Sequence, residues 1–133
     1  MDLKKSKNSS PRIKVIQKLY NTLMNPDAII EYPKSQYKKF IKDVVTGTLE
    51  RSELIEEQIN LHLKDDINLG KTDKLLKIIL FAAIFELMFK HNTPKKVIIS
   101  EYLLASEHFL EKIQIGYLNA ILDKISKKLR KEE

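Results

Sequence analysis

The sequence contains no cysteine and few of the residues that interrupt regular structure. Its 133 residues include only three glycines and four prolines. Without cysteine there can be neither a disulfide framework nor a thiolate metal site. So few glycines and prolines leave little room for the tight turns that a β-sheet requires. These absences favour a helical protein of the cytoplasm.

Long hydrophobic runs are missing as well. The longest apolar stretch, from Leu75 to Phe89, is interrupted by Lys77 and Glu86. A membrane-spanning helix needs about 20 predominantly apolar residues with few or no charges. The lysines near the N-terminus are not followed by an apolar stretch, which argues against a secretory signal. We therefore expect no contact with a membrane.

Positive charge is concentrated at the two ends of the chain. The formal net charge is +6, with an excess of +5 in residues 1–18 and of +3 in residues 124–133, whereas residues 19–123 sum to −2. This asymmetry favours contact with a polyanion, because lysine and arginine release the counterions condensed on phosphates. Lysine-rich ends that only keep the protein in solution are the alternative.

The spacing of hydrophobic residues is helical along most of the chain. Ser10-Pro11 and Thr93-Pro94 each combine a capping hydroxyl with a proline in the first helical turn. Residues 73–90 are apolar on nearly all sides, which places this helix at the centre of the fold, and Thr72-Asp73 can cap it. The sequence predicts an all-α fold of six to seven helices around this central helix.

The remaining segments complete the prediction. We expect a loop over residues 25–35 and an amphipathic helix that begins near Tyr37 and runs on towards Leu63, weakened by Gly47. We expect a break over residues 111–115, a turn at Gly116 and then a final helix. Residues 1–9 would form a basic, flexible arm, and residues 10–130 a single domain.

No arrangement of side chains points to catalysis. No two of the three histidines have metal-ligand spacing on one helix, and phosphate-loop and nucleophile motifs are missing. Ser100, Glu101 and His108 form only a chance combination. Glu86 lies in the apolar central helix, and we expect it to pair with a lysine or a helix N-terminus, because a buried carboxylate needs a partner. We predict no catalytic residue, no metal and no cofactor.

Tyr117 and Asn119 have the chemistry of an RNA contact. Aromatic faces stack on unpaired bases, and amides hydrogen bond to base edges or sugar hydroxyls. The alternative is that Tyr117 packs in the core and Asn119 caps the final helix. Because both ends of the chain are basic, the RNA contact and the structural role are about equally favoured by the sequence.

Three blocks in this order resemble the NusB family of bacterial transcription antitermination factors. Phe85-Glu86-Leu87 is similar to the family's YEL, and Thr93 to Tyr102 is similar to TP-x-KVVINEY. The third block, from Gly116 to Asp123, is similar to FVNGVLD. Two further segments match as well: residues 12–20 resemble R-x-x-A-x-Q-x-LY, and Val45-Thr46-Gly47 resembles V-x-G. The resemblance covers roughly residues 10–130 and implies two packed helical bundles around the central helix.

The resemblance also implies a function. The family binds the boxA element of single-stranded nascent RNA together with NusE, a small-subunit ribosomal protein. The complex joins the transcription elongation complex and supports transcription of ribosomal RNA operons. By position, the resemblance and the charge pattern give these RNA-binding residues: Lys4, Lys5, Lys7, Arg12, Tyr117, Asn119 and Lys124. The implied NusE-binding residues are Tyr20, Lys74 and Lys77.

One departure from the family pattern supports a second function. Asn8, Ser9 and Ser10 stand where the family usually has an arginine cluster, and lysine lacks the planar fork of arginine. The alternative is a protein-only interaction module with weakened RNA binding, which binds NusE or forms a homodimer. A third possibility, an accessory domain of an RNA methyltransferase, ranks last.

Overall fold

The computed structural model describes residues 10–131, and every regular element in that range is helical. A short 3₁₀ turn spans Leu69–Lys71. The six α-helices are α1 (Pro11–Met24), α2 (Lys38–Glu50), α3 (Ser52–Leu63), α4 (Lys74–Phe89), α5 (Lys95–Ser106) and α6 (Lys112–Leu129). The predicted all-α class is confirmed. The expected N-terminal arm, residues 1–9, lies outside the described residues.

Helix α4 is the central helix that the sequence predicts. It packs against each of the other five helices, and most of its side chains are buried. The carboxylate of Asp73 accepts hydrogen bonds from the backbone N–H groups of Leu75 and Leu76, both at 3.1 Å. This cap satisfies two donors that the first helical turn leaves without intrahelical partners.

The other helices form two bundles that share α4. Helices α1 and α2 pack on one part of it, and α5 and α6 pack on another. Helix α3 contacts both α4 and α6 and so closes the second bundle. Among the described residues, no helix is long and apolar enough to cross a bilayer.

Gly47 allows α2 to approach α4 closely. A Cβ atom built at this position would lie 2.2 Å from Cζ of Phe85, well inside van der Waals contact. The glycine is therefore explained by packing, and the helix continues through it to Glu50. The predicted single helix towards Leu63 instead divides at Arg51, into α2 and α3.

The predicted starts of α1 and α5 lie close to the observed ones, but the predicted hydroxyl caps and the predicted start of α6 are wrong. The structure gives neither Ser10 nor Thr93 a side-chain capping bond, although Pro11 does occupy the start of α1. The expected break at residues 111–115 is helical from Lys112, because Glu111 and Gln114 form a reciprocal capping box that satisfies the first turn. Gly116 consequently lies inside α6 and makes no turn.

Candidate functional site

A buried ion pair joins α1 to α4. Nε of Arg12 donates to Oε2 of Glu86 at 3.0 Å, and Nη2 donates to Oε1 at 2.7 Å. The hydroxyl of Tyr102, from α5, donates to the same carboxylate at 2.5 Å. Glu86 is fully buried. Its partners are therefore an arginine and a tyrosine, rather than the expected lysine or helix N-terminus.

The environment of Arg12 holds its charge inside the fold. Its guanidinium carbon lies 4.9 Å from the ring centroid of Phe40, and the residue is only 8% exposed. Burial alone would lower the pKa of Arg12, but hydrogen bonding to Glu86 and its charge outweigh burial and raise the pKa above its ordinary value. The structure thus gives Arg12 a core position, with its guanidinium engaged by Glu86.

Arg130 is also directed inward, although it belongs to the basic C-terminal segment. Its guanidinium donates to the carbonyl oxygens of Leu87 at 2.7 Å, Thr93 at 2.9 Å and Lys90 at 3.0 Å. Leu87 lies in the last turn of α4 and Lys90 is its C-cap residue, where the helix dipole favours a cation. The charge of Arg130 therefore stabilises the fold and adds nothing to an exposed basic surface.

Tyr117 and Lys124 meet at one aspartate. The hydroxyl of Tyr117 donates to the backbone carbonyl of Asp66 at 2.5 Å, and Nζ of Lys124 lies 2.6 Å from the carboxylate of the same residue. Tyr117 is 41% exposed, so it is not the core residue of the alternative reading. Burial and the charge of Asp66 both raise the pKa of Tyr117. Its ring is thus held at the surface beside a cation.

Asn119 lies on a different side of the same helix. Two residues of an α-helix turn through about 200°, so Asn119 and Tyr117 face nearly opposite directions. Asn119 is exposed, one turn before Asp123, which borders the groove between α5 and α6. The structure therefore brings Tyr117 and Lys124 together and leaves Asn119 apart. Lys4, Lys5 and Lys7 lie outside the described residues.

The three predicted partner residues lie around neighbouring depressions. Tyr20 and Lys74 line a shallow depression at the start of α4. Lys74 and Lys77 border a groove of about 430 Å³ between α1, α2 and α4. The groove is mainly apolar, and its lining includes Leu19, Leu23, Leu49, Ile78 and Phe81.

Two leucines of this groove are exposed, which the helical spacing does not reveal. The pattern places Leu23 and Leu49 on core-facing sides, yet they are 48% and 40% exposed. Thr48 also lines the groove, and its hydroxyl oxygen is buried without a hydrogen-bond partner among the described residues. Exposed leucines around an apolar groove are typical of a surface that a second protein covers.

Side chains that commonly bind metals do not cluster in the part of the chain that the structure describes. No group of three or more histidine, cysteine, aspartate or glutamate side chains is placed to hold an ion. The chemistry that the arrangement offers is recognition, through an exposed aromatic ring, surface lysines and an apolar groove.

Comparison with known proteins gives consistent results. The transcription antitermination protein NusB of Rickettsia bellii is 33% identical over 141 aligned positions, which cover 91% of this chain and 90% of that protein. The protein of the same name from Mesorhizobium japonicum is 34% identical over 94 residues, 71% of this chain. The chain spans 61% of the length of this second relative.

The fold agrees with these sequence matches. The solved structure of T. maritima NusB superposes with a TM-score of 0.75 over 90% of this chain and 92% of that one, at 21% sequence identity. This likeness shows the shared fold. The NusB family model itself matches residues 4–127. With a family match over nearly the whole chain and relatives above 30% identity, the chain belongs to the NusB family.

Proposed function

We propose that the protein is a transcription antitermination factor that binds boxA-type single-stranded RNA together with the ribosomal protein NusE. It would act in the transcription elongation complex and support transcription of ribosomal RNA operons. The similar bacterial proteins are named for antitermination. The observation that carries the RNA part is the exposed ring of Tyr117, fixed by Asp66 beside Lys124.

The geometry of Tyr117 suits a base-stacking contact. Stacking of one base on an aromatic side chain contributes about 1–3 kcal/mol and tolerates any base. A ring held by a hydrogen bond loses less conformational freedom on binding than a free one. Lys124 and Lys128, one turn apart on α6, are both exposed and can contact phosphates next to the stacked base.

The apolar groove supports the protein-partner part of the proposal. Its leucines supply hydrophobic contact, and Lys74 and Lys77 at its border add positive charge. Such a surface favours an apolar protein segment with acidic residues beside it, and we assign it to NusE.

A titration tests the proposal. A fluorescent boxA RNA is titrated with the protein at 50 and 200 mM salt, with and without NusE, and a scrambled RNA serves as the control. We expect weak binding by the protein alone, a steep loss of affinity with salt, and tighter binding when NusE is present. No binding in either arm at the lower salt concentration would exclude the RNA function.

Two substitutions at Tyr117 separate stacking from folding. Tyr117→Ala removes the ring and is expected to weaken RNA binding about fivefold or more. Tyr117→Phe keeps the ring and loses only the hydrogen bond to Asp66, so most of the affinity should remain. The thermal midpoint of the alanine variant should change little, because the ring is partly exposed. Equal affinity of the alanine variant and the natural protein would contradict the stacking contact.

A second function is favoured by the placement of the two arginines near the chain ends. Arg12 and Arg130 are both held within the fold, so they do not enlarge a basic surface. A protein-only module would bind NusE, or a second copy of itself, and leave boxA RNA unbound. Light scattering during size exclusion, with and without NusE, distinguishes the monomer, the homodimer and the NusE complex.

A further inference from the structure

One cleft lies apart from the apolar groove and from Tyr117, although its lining includes Tyr20, one of the predicted partner residues. Its volume is about 610 Å³, and it opens between α1, the segment before α2 and the connection between α5 and α6. Tyr117 and Lys124 do not line it. Six side chains give the cleft its chemical character: Lys14, Lys18, Lys38, Tyr20, Tyr32 and Phe109.

The cleft is positively charged. Lys14, Lys18 and Lys38 line it, and its lining contains no aspartate or glutamate. Within residues 10–131, none of these three ammonium groups has a carboxylate partner. Lys14 and Lys18 stand four residues apart on one side of α1, where like charges repel each other by about 0.2–0.5 kcal/mol. An anion placed between them would remove this repulsion.

The wall of the cleft is aromatic. Tyr32 is half-buried, and burial raises its pKa although a hydrogen bond from Thr46 acts in the opposite direction. Nζ of Lys18 lies 5.6 Å from the centroid of the Tyr32 ring, which fixes a cation against an aromatic face. Tyr20 and Phe109 contribute two further half-buried rings. Three rings offer contact to a flat, apolar ligand group.

We propose that this cleft binds a ribonucleotide, with its base against the aromatic wall and its phosphates among the three lysines. The volume of the cleft lies within the range of about 300–1,000 Å³ that is usual for small-molecule sites. The ligand chemistry is shared by a free nucleoside triphosphate and by one nucleotide of a bound RNA. An acidic peptide would match the lysines but leave the three rings without a flat partner, which makes it the less suitable ligand.

Nuclear magnetic resonance titration tests the proposal directly. The ¹⁵N-labelled protein is titrated with ATP, adenosine, tripolyphosphate, a short single-stranded RNA and an acidic peptide, each at 20 mM salt. We expect saturable shifts for ATP, confined to the cleft, and at least fivefold weaker binding of adenosine and of tripolyphosphate. A saturable response to the RNA at the same cross-peaks would identify the ligand as a nucleotide of a chain, whereas a response to ATP alone would identify the free form.

Matched variants separate this site from the RNA contact proposed at Tyr117. Lys14→Gln and Lys38→Gln are each expected to weaken ATP binding at least threefold. Lys42→Gln, an exposed lysine of α2 that does not line the cleft, is the control and should leave ATP affinity unchanged. Tyr117→Ala should likewise leave it unchanged, so a failed boxA experiment would not affect the outcome here.

Three results would overturn the proposal. The first is no saturable shift with ATP or with the RNA at low salt. The second is an equal loss of affinity in Lys42→Gln and in the cleft variants, which would mean nonspecific attraction of anions. The third is tighter binding of the acidic peptide than of either nucleotide ligand, which would make the cleft a peptide site.

Discussion

Replacing Arg12 by methionine is expected to destabilise the protein severely. The substitution leaves the fully buried carboxylate of Glu86 with the hydroxyl of Tyr102 as its remaining hydrogen-bond donor among those described. Removing one partner of a buried ion pair costs about 3–5 kcal/mol, because the other charge stays buried without compensation. That loss is a large part of the stability of a typical protein, whose free energy of unfolding is roughly 5–15 kcal/mol.

The double variant Arg12→Met/Glu86→Gln isolates the cause. It removes both charges, keeps similar side-chain volumes, and leaves an amide oxygen that can accept from Tyr102. Replacing both members of a buried pair is often nearly neutral, so we expect this variant to lie within about 2 kcal/mol of the natural protein. The difference between the single and double variants measures the coupling of the two residues.

Urea unfolding followed by circular dichroism at 25 °C gives the free energy of unfolding of the natural protein, of the two single variants Arg12→Met and Glu86→Gln, and of the double variant. A loss below about 1 kcal/mol in Arg12→Met would refute the argument that the pair is buried and coupled. A double variant as unstable as the sum of the two single ones would refute the charge explanation and point to packing instead.

Three further predictions concern the same core. Burial, and then the charge of Glu86, raise the pKa of Tyr102 well above its ordinary value, so the unfolded chain loses this proton first. The stabilisation from this proton is therefore complete below about pH 10, and above it the free energy of unfolding falls by up to about 1.4 kcal/mol per pH unit. Urea midpoints measured against pH should show a smaller slope in Tyr102→Phe than in the natural protein. Equal slopes in the two proteins would contradict the burial of this tyrosine. Arg130→Met leaves carbonyls at the end of α4 without their donor, and we expect the free energy of unfolding to fall by about 2–4 kcal/mol. A thermal midpoint equal to that of the natural protein would contradict this role of Arg130. Gly47→Ala should destabilise by about 1–3 kcal/mol through the clash with Phe85, despite the better helix propensity of alanine, and a gain in stability would show that α2 moves away freely.

The parts of the fold that depend on neighbouring residues can be read from the sequence. Helix α4 is apolar on all sides and begins after Asp73, so its central position and its cap both follow from local chemistry. The division at Arg51 and the helical Gly116 do not follow, because packing and the Glu111–Gln114 capping box outweigh the local preferences.

The site depends on pairs that are distant in sequence. Arg12 and Glu86 are 74 positions apart, so nothing near Arg12 reveals that its charge is used inside the fold. Tyr117 and Asp66 are 51 positions apart, and the orientation of the tyrosine ring follows from that hydrogen bond. Leu23 is exposed for a different reason that the sequence does not reveal. Helical spacing cannot distinguish a core residue from one that lines an open groove.

Terminator read-through in a purified transcription system tests the central claim most directly. A template with a boxA element upstream of a terminator is transcribed with NusE and the other elongation factors, with and without this protein, and a template with a scrambled boxA is the control. We expect the protein to raise read-through on the boxA template alone, and Tyr117→Ala to lose most of that increase. Equal read-through with and without the protein on both templates would contradict the proposed function.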